Sequence, residues 1–265
     1  MTENLKWEEL PITNNFIFLK VMQNQELCKR FLETILKIEI DHLENVVTES
    51  LISENPNSKF VRFDVHVKNS DRTFIIEMQV VNTNELPQRA RFYQAISDVA
   101  DLNPGDDYLN LPENIVIFLC PFDMYAKGYP IYTFKNLCLE DKEIEMGDMT
   151  EKIFINFHFY DRIEDEEIRN LMKFFSNGET EGELPQKFNR ALQIARKNLE
   201  WKREYMEINF ELWDAKKLAR ADGLAEGRAE GEAAAKAELQ PIIEQQEKQL
   251  SAKDEALSAK DAEIS

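Results

Sequence analysis

Apolar positions along the chain change their period several times. Over residues 16–38 they recur at helical spacing, with Leu27, Phe31, Ile35 and Ile38 four, four and three apart. Thr13 or Asn14 offers the side-chain oxygen that caps a first helix running through Phe16, Leu19 and Lys20. The period then shortens. Strand-like runs cover 60–67, 73–81, 114–119, 131–134 and 153–157, with a helical stretch over 88–102 between the second and third. Turn residues punctuate them at Asn55-Pro56-Asn57-Ser58, Asn103-Pro104-Gly105 and Lys127-Gly128. Beyond residue 160 the spacing is helical again, as over 166–172. Helices, a hairpin, a helix and further strands predict an α/β (α+β) domain with a central mixed sheet.

The first two strand runs flank Asn69-Ser70-Asp71-Arg72, which is turn chemistry. Symmetry about the midpoint of Ser70 and Asp71 pairs residues whose numbers sum to 141, which sets Asp64 opposite Glu77, Arg62 opposite Gln79 and His66 opposite Ile75. Phe63, Val65, Val67, Phe74, Ile76, Met78 and Val80 then form an apolar face that must meet a core. Arg62, Asp64, His66, Ile75, Glu77 and Gln79 form the other. Directly opposed side chains lie roughly 5 Å apart at Cβ, so the two carboxylates repel unless a cation lies between them. Mg²⁺ is commonly held by one or two carboxylates, with water and phosphate oxygens completing its shell. The pair is therefore a candidate divalent-metal site. An ordinary solvated polar face fits the same pattern, although Asp is disfavoured in mid-strand.

Charge changes the picture. Acids outnumber bases 50 to 32 over 265 residues, a net charge of -18, which excludes a protein that coats nucleic acid with a basic surface. Any phosphate ligand must meet a local cluster of bases. An apolar content of 43% suffices for a buried core and excludes wholesale disorder. Cys28, Cys120 and Cys138 are widely spaced and without a CxxC motif, so neither a disulfide framework nor a structural zinc is expected. With no bilayer-length apolar run and no signal-like segment in residues 1–12, the expected setting is a reducing cytoplasm without membrane attachment.

From Asp214 onward the chain has no aromatic residue and carries 12 acids against 8 bases. Gly223, Gly227 and Gly231 recur every four residues, which suggests a frayed hinge. Ile243, Leu250, Leu257 and Ile264 then fall seven apart, and SAKDEAL and SAKDAEI are successive copies of one heptad. The companion positions, Gln246, Lys253 and Lys260, leave a thin seam. A homo-oligomer through this tail and a plain solvated helix both fit. Three segments follow: a sheet-bearing domain over 1–160, a helical extension over 161–213 and a Gly/Glu-rich, heptad-repeat tail over 214–265.

An ordered series of segments between residues 10 and 159 resembles the PD-(D/E)XK nuclease family transposases, also called recombination-promoting nuclease (Rpn)-like proteins. They are TNNFIFLKVM (13–22), LCKRFLETIL (27–36), VRFDVHV (61–67), IIEMQV (75–80), LPQRARFYQAISD (86–98), VIFLCPFD (116–123), IYTF (131–134) and KIFINF (152–157). The Gly- and Glu-rich tail is similar to this family's ending as well. The resemblance implies a restriction-endonuclease-like core over 1–160, a mixed sheet flanked by helices. It also implies a DNA endonuclease dependent on Mg²⁺ (or Mn²⁺), hydrolysing phosphodiester bonds in transposition or recombination.

Carried over by residue, the resemblance makes Asp64 the motif Asp and Glu77 the motif Glu, with Gln79 at the position of the usual Lys. In that reading the metal held by Asp64 and Glu77 activates a water, which Gln79 orients. Glu33, on the second helix, matches a recurring acid that assists the metal. Arg89, Arg91 and Tyr93 match the RxRxY segment, which implies contact with the DNA backbone; ordinary ion pairing to the protein's many acids would occupy the arginines equally well. His66 shares the polar face, either as a base or as a plain neighbour. Where the family often has N-D-F-x-F, this chain has Asn14-Asn15-Phe16, so position 15 keeps an oxygen and loses a charge. The rival readings are a catalytically silent DNA-binding relative, suggested by Asn15 and the missing Lys, and an oligomeric interaction protein, suggested by the heptads.

Overall fold

The computed structural model describes residues 5–44, 46–52 and 61–264. The turn expected at Asn55 to Ser58, and Phe60 at the expected start of a strand, lie outside the described residues. Helix α1 (Asn15–Met22) begins where Asn14 Oδ1 accepts the Ile17 N–H at 3.2 Å. Helix α2 (Gln25–Leu36) is capped in the same way by Asn24, which accepts the Leu27 N–H at 3.0 Å. It stops at Lys37, which is left-handed at φ +55°, so Ile38 lies past the end of the helix whose pattern it continued.

Six strands follow: β1 (Val47–Ile52), β2 (Val61–Lys68), β3 (Arg72–Met78), β4 (Glu113–Cys120), β5 (Ile131–Phe134) and β6 (Thr150–Asn156). They form one mixed sheet in the order β1-β2-β3-β4-β6-β5. The β1–β2–β3 pairings are antiparallel, β3–β4–β6 are parallel, and β5 closes the far edge antiparallel to β6. Strand β1 has no counterpart among the sequence expectations. Thr48, Glu49 and Ser50 interrupt its apolar pattern, and its pairing with β2 defines it.

Helix α3 (Leu86–Asp101) lies on one face of the sheet. Its Leu86, Ala90 and Tyr93 pack with Ile75, Val116, Phe118 and Phe154 of the strands. The parallel crossover from β3 to β4 is built on this helix. Toward the opposite face, Ile35 and Leu36 of α2 border a cleft with Ile115 and Ile153.

Helices α4 (Glu166–Asn177) and α5 (Glu183–Lys197) add Phe174, Phe175 and Phe188 to the core. Phe188 packs on Phe31 at 6.4 Å and on Phe175 at 5.8 Å, and Phe175 meets Phe18 at 6.2 Å. The chain divides into two compact units, Met1–Lys202 and Arg203–Ser265. The region expected as an extension over 161–213 is thus, through α5, part of the first unit. Its composition changes at residue 161 because the sheet ends there, while the core continues.

Helix α6 (Leu199–Ile264) begins in the first unit and forms the second. It is continuous through Gly223, Gly227, Gly231 and Pro241, where a frayed hinge was expected. Ile243 and Leu250 are 47% and 64% exposed; the side chains of Leu257 and Ile264 lie outside the described residues. Among the described residues no helix is long and apolar enough to cross a membrane.

Candidate active site

Strands β2 and β3 pair from Val65–Ile76 to Lys68–Thr73, the register that symmetry about Ser70 and Asp71 requires. Asn69 builds the turn: its Oδ1 accepts the N–H of Asp71 at 3.3 Å and of Arg72 at 2.7 Å. One step beyond Val65 the ladder opens. The Asp64 N–H donates to Glu77 Oε1 at 2.9 Å, and the Met78 N–H donates to Asp64 Oδ2 at 2.9 Å. The Asp64 carboxylate has taken the Met78 N–H that the continued ladder would give to Phe63, so the strands part at the acids. Strand β3 stays bound on its other side, where Glu77 lies beside Phe118 and the Gln79 N–H reaches Leu119 O at 2.9 Å.

This opening breaks the side-chain alternation. Phe63, expected on the apolar face with Val65 and Val67, packs with Ile75 on the α3 side. Its ring lies 5.3 Å from the His66 ring and 5.1 Å from Tyr93. The face expected to be polar and solvated is instead covered: Glu77 is 3% exposed, His66 8% and Ile75 fully buried. His66 is a core residue within reach of Ser97 Oγ at 3.4 Å, and burial holds its pKa down at about 4. It is therefore a neutral, buried side chain at pH 7.

Burial, and next the adjacent Asp64 carboxylate, raises the Glu77 pKa above the ordinary carboxylate range. Arg89 opposes that shift. From α3 its Nη2 donates to Glu77 Oε2 at 3.1 Å and to Tyr93 Oη at 2.7 Å, while its Nη1 donates to Gln79 Oε1 at 2.7 Å. The other end of the Gln79 amide donates to Val81 O. Asp64, Glu77, Gln79, Arg89 and Tyr93 therefore form one hydrogen-bonded group at the C-terminal end of β3.

The remaining expected residues sit elsewhere. Glu33 lies on α2 and walls a cleft of about 790 Å³ with Lys29, Arg30, Asn69, Asp71 and Arg72, at the turn end of the hairpin. Its Oε1 accepts the Ile40 N–H at 3.1 Å and lies 3.8 Å from Lys29, and its Oε2 lies 3.6 Å from Arg30. Neither Asp64 nor Glu77 borders that cleft, so the structure does not bring Glu33 to the acid pair. Helix α2 carries it to the opposite end of the hairpin.

The structure separates Arg91 from Arg89 and Tyr93, and Arg89 makes an ion pair with an acid, Glu77, at 3.1 Å. Tyr93 is 8% exposed as a member of the buried stripe Leu86, Ala90, Tyr93 and Ser97 of α3, and Arg89, beside that stripe, turns inward. Only Arg91 is exposed, with no acceptor among the described residues. Asn15 is exposed at the start of α1. Sequence reasoning missed the inward turn of Arg89, and the signal was there: position 89 is one turn after Leu86 and one before Tyr93.

The donor set suits a hard divalent cation. Asp64 and Glu77 offer only carboxylate oxygens, which favour Mg²⁺ or Mn²⁺ over softer metals. Among the described residues no group of three or more His, Cys, Asp or Glu side chains converges. Two protein carboxylates leave most of the shell to water and phosphate, as Mg²⁺ commonly accepts. The like charge held beside buried Glu77 is the electrostatic deficit such a cation would relieve. Cys28 and Cys120 are buried and their thiols pushed up to about 12 by burial, so neither supplies a thiolate.

Residues 15–217 match the family model of the PD-(D/E)XK nuclease family transposases. No curated protein and no solved structure matches the chain.

Proposed function

Since the chain belongs to the PD-(D/E)XK nuclease family transposases and has their mixed, helix-flanked restriction-endonuclease-like sheet, we propose that it is a divalent-metal-dependent DNA endonuclease. Asp64 and Glu77 hold Mg²⁺ (or Mn²⁺), and Gln79 stands beside the attacking water. The observation that carries this reading is the opened β2–β3 ladder, which sets an almost wholly buried Glu77 against Asp64.

When bound, the cation lowers the pKa of a water and offsets charge on the phosphoryl oxygens. The rest is the work of the chain. The Met78 N–H fixes one Asp64 oxygen, and the Asp64 N–H and Arg89 fix the two oxygens of Glu77. Each carboxylate oxygen accepts more than one bond, so both acids can hold a cation without giving up these partners. Gln79 Oε1, already taking one bond from Arg89, keeps a second acceptor direction for the water. The dry surroundings of Glu77 strengthen every charge interaction there.

Arg91, exposed on α3, is the phosphate contact we assign to the surface, and Glu33 is left out of the metal set. The heptads of α6 make a homo-oligomer, and the reaction takes place in the cytoplasm on DNA.

Nicking of supercoiled plasmid tests the reading. Cleavage is expected with Mg²⁺ or Mn²⁺, none in EDTA, and none for Glu77→Gln. Cleavage that survives EDTA, or an active Glu77→Gln, overturns it. A folded wild type that binds DNA and leaves it intact with both metals would instead favour the silent relative, the reading that Gln79 in place of Lys supports.

A further inference from the structure

If Asp64 and Glu77 are the catalytic pair, the site lacks a positive charge at position 79, where Gln79 is neutral. A cation from another element fills that space. Arg89 of α3 bonds to Gln79 Oε1 at 2.7 Å and to Glu77 Oε2 at 3.1 Å, which puts its guanidinium beside both β3 side chains.

The guanidinium is held on every side but one. Besides Gln79 and Glu77, its Nη2 and Nε donate to Tyr93 Oη at 2.7 and 3.2 Å. It lies over the rings of Tyr93 and Phe118, at 5.3 and 5.7 Å from their centroids. Tyr93 is itself wedged edge-on against Phe63. A guanidinium has five N–H donors. These contacts use four, and the fifth, on Nη1, has no acceptor among the described residues. The Arg89 side chain is 24% exposed, so the group is not sealed off. A structural counter-ion for Glu77 would need one donor and no bond to Gln79.

We propose that Arg89 is a catalytic residue: it supplies from α3 the positive charge that Gln79 lacks, and it donates its fifth N–H to a non-bridging oxygen of the scissile phosphate. Gln79 and Tyr93 are positioning residues that fix its plane. The inference rests on the nuclease reading of the same site. An arginine serves here because its charge persists when partly buried, and its fork engages a carboxylate and a phosphate together. Charge that builds on the phosphoryl oxygens in the transition state then meets a donor already in place.

The test moves the charge back. Arg89→Gln, Arg89→Lys and the double variant Gln79→Lys with Arg89→Gln are compared with wild type in single-turnover cleavage, DNA affinity, thermal melting, and Mn²⁺ affinity by calorimetry without DNA. Arg89→Gln should lower the cleavage rate about 100-fold, the usual loss for one preorganised transition-state donor. DNA affinity should stay within about threefold, since one buried donor adds little to phosphate-backbone binding. Mn²⁺ affinity should rise, because a cation beside Glu77 is gone. The double variant should recover about tenfold or more of the rate, and Arg89→Lys should fall between.

An active wild type with an equally active Arg89→Gln removes this inference alone. So does a double variant that melts like wild type yet stays at the level of Arg89→Gln, or an Arg89→Gln that loses Mn²⁺ binding, which would make Arg89 a mere support for Glu77. Should Arg89→Gln fail to fold, an Arg89→Lys that melts like wild type must still cleave measurably, and its inactivity overturns the inference. A wild type inactive with both metals removes the nuclease reading, and this inference with it.

Discussion

Asp64 donates its backbone N–H to the side chain of Glu77 at 2.9 Å, although residues 64 and 77 fall at a position of the hairpin where no backbone bond joins the strands. A second bond, from the Met78 N–H to Asp64 Oδ2, is equally short. The two acids are therefore part of the sheet's hydrogen bonding as well as the candidate cation ligands, and substitutions can separate the roles.

Asp64→Asn keeps an oxygen for the Met78 N–H and removes the charge. It should stay within about 1 kcal/mol of wild-type stability while losing cleavage and Mn²⁺ affinity. Asp64→Ala leaves that N–H without its acceptor in a part-buried position and should cost about 1–3 kcal/mol. Urea unfolding of both variants measures the difference. Equal stability losses would show that Asp64 contributes charge alone.

Arg91 offers the cleanest test of the proposed DNA contact, because its side chain is exposed and makes no bond to the described residues. Each phosphate neutralised contributes about 0.9 to the slope of log affinity against log salt. Arg91→Ala should therefore reduce that slope by about one and leave the melting temperature in place. An unchanged slope in a salt titration of DNA binding would remove Arg91 from the interface.

His66 predicts a pH dependence of stability. Burial first, then Lys68, lowers its pKa from 6.5 to about 4, with Asp101 opposing. Between those values the unfolded chain binds the proton and the folded chain does not, so stability rises with pH. The contribution is complete above pH 6.5, declines as the pH falls, and levels off near 4. The full span is about 3 kcal/mol. His66→Gln cannot titrate, so its unfolding free energy should vary less between pH 7 and pH 4.5, by about 2 kcal/mol. Parallel curves for variant and wild type would place the acid sensitivity in other groups.

The tail carries a separate expectation. Ile243 and Leu250 lie exposed on α6 in the unit beyond Lys202, in the thin stripe of the heptads. Burying that stripe requires a second helix, and Lys253 near the seam weakens the pairing. Sedimentation should show a concentration-dependent oligomer that truncation after Leu239 abolishes, with cleavage per site unchanged. A full-length chain that stays monomeric at every concentration would make the heptads a solvated extension.

Much of the architecture was legible in residues close together in the chain. Asn14 before Phe16 set the start of α1, and the turn at Asn69 to Arg72 with the runs beside it set the register from Val65–Ile76 to Lys68–Thr73. Caps, turns and periodicity are local: each depends on a few neighbouring residues whose geometry follows from backbone sterics and side-chain spacing. Other features depended on what packs over the sheet. The sequence placed Phe63 with Val65, but the carboxylates of Asp64 and Glu77 opened the ladder and the ring joined Tyr93. It left Arg89 open to DNA contact or to ion pairing with an acid, and only the packing of α3 on its Leu86–Tyr93 stripe singles out Glu77 as the acid that the guanidinium meets. Glu33 parted from the acids because α2 delivers it to the turn end of the hairpin. Local sequence determines which residues share an element and a face. Only the long-range burial of apolar surface decides which elements meet, and so which charged groups must find partners in the interior.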